Sequence, residues 1–112
     1  MCGSEQVCVV GGGNSAGQTA IYLSQNVRKV FLLIRGGDLR KDMSNYLAQR
    51  IEQTENIELL TNSQIAEMSG ETHLESVTIK NNQTDEMRHE KVAGVFFVYR
   101  GDAAHGVAAV GN

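Results

Sequence analysis

Residues 6–16 read Gln-Val-Cys-Val-Val-Gly-Gly-Gly-Asn-Ser-Ala. The first five form a short, mostly apolar run suited to a buried strand, and the run ends on the triplet Gly11-Gly12-Gly13. Asn14 or Ser15 is expected to cap the helix that follows, because short polar side chains accept the orphan amides of a first turn. In that helix Ala16, Ala20, Leu23 and Val27 recur at steps of 4, 3 and 4 and make one apolar face. The spacing Gly11-x-Gly13-x-x-Ala16 at a strand-to-helix turn is the pattern of a dinucleotide-binding loop. Gly11 permits a tight turn, Gly13 lets the backbone approach a pyrophosphate, and the small Ala16 lets helix and strand pack closely. The helix start then offers amides and a positive dipole end to the phosphates.

The next segments support that context. Residues 29–35 contain the longest apolar run, Val30 to Ile34, as expected of a parallel strand covered on both faces. Gly36-Gly37-Asp38 is a turn, and a second helix is expected over roughly 42–54, with Met43, Leu47 and Ile51 on one stripe. Asp38 and Asp42 are read as turn and helix-cap residues rather than catalytic acids. Ile57–Leu60 is a third short strand. Strand–helix–strand–helix–strand order predicts a parallel sheet with right-handed crossovers. The pattern then changes: 64–68, 74–80 and 86–92 alternate or mix polarity and are separated by Gly70 and Asn81-Asn82-Gln83. They read as a three-stranded antiparallel β-meander inserted before a last strand at Val95–Tyr99. The fold class expected is therefore α/β, a Rossmann-type three-layer domain. It is one domain over 1–112, with its core at about 5–99 and residues 100–112 as a loosely held tail of small residues.

Composition removes several functions. A net charge of −3 without a basic block speaks against a nucleic-acid partner. No stretch approaches the roughly 18 apolar residues of a membrane helix, and no signal-peptide layout is visible, so a cytoplasmic location is expected. Cys2 and Cys8 do not form a C-x-x-C pair, and Cys8 reads as a small buried hydrophobe. His73, His89 and His105 are scattered singly, with no metal-ligand spacing. Ser15 has no histidine near it in sequence, so a role as phosphate ligand or cap outweighs one as nucleophile.

The end of the second strand discriminates between ligands. An NAD-binding domain places an acid there to hold the ribose 2′-hydroxyl. Here that position, 19 residues after Ala16, is Arg35; Arg40 follows five residues later with Lys41 beside it. A guanidinium can pair a 2′-phosphate through two hydrogen bonds. NADPH is therefore preferred over NADH as the expected ligand. A methyltransferase also carries a glycine loop, but it too wants an acid where Arg35 stands.

These residues resemble a known family. Val9-Val10-Gly11-Gly12-Gly13-Asn14-Ser15-Ala16 resembles the NADPH-binding motif of the thioredoxin reductase-like flavoproteins, and Arg35-x-x-x-x-Arg40 is similar to their 2′-phosphate motif. Val92-Ala93-Gly94-Val95-Phe96 is similar to the strand that returns the chain to the flavin domain, and the meander suits the same family. The resemblance covers about residues 5–99. It implies NADPH as cofactor, bound by Gly11, Gly12, Gly13, Asn14, Ser15, Ala16, Arg35 and Arg40. It also implies FAD on a separate flavin domain that is not in this chain, hydride transfer between the two cofactors, and a homodimeric full-length enzyme. The isolated chain would then be a fragment with little turnover of its own. Several positions depart from the family's pattern, two of them near the expected cofactor. Gly36 stands where a second arginine is common, and Gln18 stands where an acid near the nicotinamide is common. The other functional class open to the same fold is a non-catalytic nucleotide-binding or regulatory module.

Overall fold

The computed structural model describes residues 5–11, 13–41, 43–70, 74–99 and 106–111. Its centre is a sheet in the order β3-β2-β1-β7-β8. The strands are β1 (Gln6–Val10), β2 (Lys29–Leu33), β3 (Ile57–Leu60), β7 (Gly94–Tyr99) and β8 (Gly106–Gly111), with helices α1 (Asn14–Ser24) and α2 (Asn45–Gln53) in the crossovers. The first four strands are parallel, in the register Val10↔Leu33, Leu33↔Leu60 and Val10↔Phe97. A separate antiparallel sheet, β4 (Ser63–Ser69), β5 (Ser76–Asn81) and β6 (Met87–Lys91), is the expected meander.

The continuous apolar run in β2 resolves into two alternating faces, as a strand's period of two requires. Val30, Leu32 and Ile34 join Val7, Val9, Ala16, Ala20, Leu47, Ala48 and Ile51 on the helix side. Phe31 and Leu33 join Cys8, Val77, Ile79, Val92 and Val95 on the meander side. Three layers therefore enclose two cores, and β2 is buried on both faces. Burial pushes the Cys8 thiol up to about 12, so this cysteine is the inert hydrophobe expected from its place in the strand.

Four features differ from the sequence reading. Val27 lies beyond α1, whose C-cap is Gln25, yet it is buried in the helix-side core. The second helix begins at Asn45 and is preceded by a 3-10 turn at Leu39–Lys41; Met43, outside the helix, is still buried. Its cap is Ser44, whose hydroxyl accepts from the Leu47 amide at 3.2 Å; Asp42, expected in that role, lies outside the described residues. In the segment expected as a tail, β8 pairs antiparallel with β7 from Gly94↔Gly111 to Tyr99↔Gly106. Glycine and alanine carry little strand signal of their own, and the pairing with β7 supplies what local propensity lacks.

An ionic cluster ties the meander to the central sheet. Glu58 on β3 receives Lys29 at 2.7 Å and Arg88 of β6 at 2.8 Å. Both cations also lie over the Phe31 ring, at 4.9 and 5.4 Å from its centroid. The Arg88 hydrogen bond holds the Glu58 carboxyl below its ordinary 4.5; burial opposes this, and Lys29 adds to it. A depressed carboxylate stabilises the fold above its unfolded pKa, and that contribution is lost as pH falls through the folded value. Urea unfolding from about pH 6 to about pH 3 should therefore destabilise the wild type more than Glu58→Gln. An equal acid response in both proteins would contradict this role for Glu58.

Candidate functional site

The site expected from the glycine loop lies at the carboxyl ends of β1 and β2. Gly11 continues the β1–β2 ladder, its amide donating to the Leu33 carbonyl at 3.0 Å. Its φ of +148° is a backbone state that side chains rarely adopt. A Cβ there would stand 3.0 Å from the Val98 carbonyl oxygen of β7 and 3.3 Å from Ala16 Cβ. The turn is therefore closed on one side by the neighbouring strand and on the other by the first turn of α1, where Ala16 is buried. Gly12 lies outside the described residues.

Gly13, not Asn14 or Ser15, is the N-cap of α1, with φ −84° and ψ −179°. The helix starts one residue earlier than a polar cap would require, and the first turn has neither a side-chain cap nor an acidic residue. The Asn14 carboxamide is used elsewhere: its oxygen accepts from the Ser44 amide at 2.9 Å and ties the start of α1 to the start of α2. Ser15 is half-buried, and its carbonyl accepts from the Thr19 hydroxyl at 2.8 Å. A helix start capped by glycine, with no acidic residue in its first turn, favours a bound anion, because amides and dipole act together.

Arg35 follows buried Ile34 just past β2, and the parallel register brings it to the same sheet end as the glycine turn. It is exposed, and among the described residues no carboxylate pairs with it. Its backbone is clamped from both sides. Ser63 donates its amide to the Ile34 carbonyl at 2.9 Å, and Asn62 donates to the Gly36 carbonyl, also at 2.9 Å. Asn62 does this from a left-handed φ of 51°, which asparagine tolerates better than most residues. Arg40 is also exposed, but both its terminal nitrogens bind the Glu52 carboxylate, each at 2.8 Å. The Asp38 carboxylate accepts from the Arg40 amide at 2.9 Å, the turn role expected of it. The structure thus brings Gly11, Gly13, Ala16 and Arg35 to one sheet end and commits Arg40 to a carboxylate.

Two contributors were not singled out in the sequence. Asn62 positions the Arg35 loop; a Thr-Asn-Ser turn is its only local sign. Gly17 lies where α1 meets Met43 and Leu47, and a Cβ there would come within 2.7 Å of Met43 Sδ and 2.8 Å of Leu47 Cδ2. A groove of about 380 Å³ runs between the helices, with Asn14 and Ser44 lining it together with exposed Tyr22 and Tyr46. Among the described residues there is no group of three or more potential metal ligands, and no helix is long and apolar enough to cross a membrane.

The sequence profile of the family described as "Pyridine nucleotide-disulphide oxidoreductase" matches residues 6–90. The chain belongs to that family. It is 35% identical over 95 residues to a thioredoxin reductase of Debaryomyces hansenii, covering 84% of this chain and 29% of that protein. It is 38% identical over 94 residues to a thioredoxin reductase of Chlamydia pneumoniae, covering 84% of this chain and 30% of that protein. The crystal structure of thioredoxin reductase from Streptococcus pyogenes superposes with a TM-score of 0.80 at 31% identity, over 88% of this chain and 32% of that one. The chain is thus a thioredoxin reductase-like pyridine nucleotide-disulphide oxidoreductase domain that spans about 30% of the length of these relatives. The resemblance seen in the glycine and arginine motifs is borne out at the level of family and fold.

Proposed function

We propose that this domain binds NADPH and presents it to a flavin carried elsewhere in a longer polypeptide. The observation that carries this reading is the pairing of an α1 start that has no acidic residue in its first turn with an exposed Arg35 that has no carboxylate partner among the described residues, both at one sheet end. The residues fit the ligand. The cradle at Gly11 would be filled by a Cβ, and the place where an acid would hold a bare ribose is occupied by Arg35. The helix start receives the diphosphate; Arg35, its loop fixed by Asn62 and Ser63, receives the 2′-phosphate; Arg40, five residues on and paired with Glu52, is the second cation of the same segment. The bound nicotinamide supplies the hydride, and the protein supplies placement and charge.

Arg35→Ala should weaken NADPH binding by about 1–3 kcal/mol, the scale of a hydrogen bond to a charged group. NADH binding should be nearly unchanged. Calorimetric titration of both proteins with both nucleotides checks this, and equal losses for NADPH and NADH would refute the 2′-phosphate role.

A further inference from the structure

Arg40 is the one member of the arginine pair whose guanidinium is already engaged. Glu52 sits in the last turn of α2, and its two carboxylate oxygens meet Nη1 and Nη2 of Arg40 at 2.8 Å. Twelve residues separate the two in sequence, so the pair depends on the fold of the β2–α2 loop and not on helix periodicity. Its charges sum to zero. Arg35 lies five residues before Arg40 and has no such partner among the described residues. Between them Gly36 leaves open space, with nothing within 4 Å of where its Cβ would be. The segment after β2 thus carries one guanidinium without a carboxylate partner among the described residues and one neutralised guanidinium, with no side chain at Gly36 between them in sequence.

We propose that Glu52 is a specificity-determining positioning residue. By holding Arg40 through both terminal nitrogens, it sets how strongly a 2′-phosphorylated adenosine ribose is preferred over a bare one. The inference rests on the NADPH reading above. A phosphomonoester recruits Arg40 only by displacing the Glu52 carboxylate or by sharing the guanidinium with it. Either way, the negative charge of Glu52 opposes the doubly charged ligand. A bare 2′-hydroxyl has no charge to oppose, so its binding is indifferent to Glu52. Glu52 therefore discounts the phosphate without touching the rest of the nucleotide. Both partners are exposed, so substituting either leaves the core intact.

The test is a double-mutant cycle: wild type, Glu52→Gln, Arg40→Ala and the double variant, each titrated calorimetrically with NADPH and with NADH. Glu52→Gln should tighten NADPH by about two- to five-fold, the scale of releasing an exposed ion pair, and leave NADH unchanged. In the Arg40→Ala background the same substitution should have no effect. Weaker or unchanged NADPH binding by Glu52→Gln would overturn the proposal, as would a gain that persists without Arg40. Binding of neither nucleotide by any of the four proteins would instead remove the NADPH reading, and this inference with it.

Discussion

Gly11→Ala is expected to abolish measurable NADPH binding and to lower stability at the same time. Two independent costs meet at this residue. The φ of +148° is strained for any residue with a side chain, and strain of this kind costs about 1–3 kcal/mol. The added Cβ would also stand 3.0 Å from the Val98 carbonyl oxygen. That atom belongs to the backbone of β7, which pairs with β1 on one side and β8 on the other, so it has no rotamer with which to yield. The turn must open, and it carries the start of α1 away from the diphosphate with it. A shift costing as little as about 1.4 kcal/mol of binding already weakens affinity ten-fold. Gly36→Ala is the matched control, because nothing lies within 4 Å of its Cβ position and its φ is not in the left-handed region. It should change neither stability nor binding. Thermal melts and titrations of the two variants would decide the matter; a Gly11→Ala protein that melts and binds like wild type would refute this account of the loop.

Phe31→Ala is expected to be the most damaging substitution outside the candidate site, at about 3–5 kcal/mol for deleting a buried aromatic ring. Phe31 is 1% exposed in the middle of β2, between Cys8 on β1 and Glu58 on β3. Its ring is part of the core shared by the sheet and the meander, and it supports Lys29 and Arg88 from below. Removing it leaves a cavity and deprives both cations of an aromatic face while they remain tied to Glu58. Domains are typically stable by only about 5–15 kcal/mol, so the loss is a large share of the total. Urea denaturation should show it, with Phe31→Leu retaining most of the stability. A cost below about 1 kcal/mol for the alanine variant would mean that the meander does not depend on this ring.

The parts of this fold that were legible in the sequence are those written in local patterns. The strand–glycine–helix turn, the apolar run of β2 and the alternating segments of the meander each carry their own signal, and the resemblance in the glycine and arginine motifs follows from them. The parts that were not legible are set by partners distant in sequence. The cap of α1 passed to Gly13 because Asn14 is used to join α1 to Ser44, 30 residues away. The loop bearing Arg35 is held by Asn62 and Ser63, which no motif links to it. Glu52 meets Arg40 only because the β2–α2 loop folds back on the helix. The strand at Gly106–Gly111 has no propensity to announce it and exists through its pairing with β7.

The central claim is that the amides beginning α1 hold a diphosphate while Arg35 selects a phosphorylated ribose. Side-by-side calorimetric titration of the unmodified chain with NADPH and NADH tests it most directly. One NADPH should bind per chain, with NADH weaker by about ten-fold or more, the scale of one lost charged hydrogen bond. Equal affinity for the two nucleotides, or no heat with either, would contradict it.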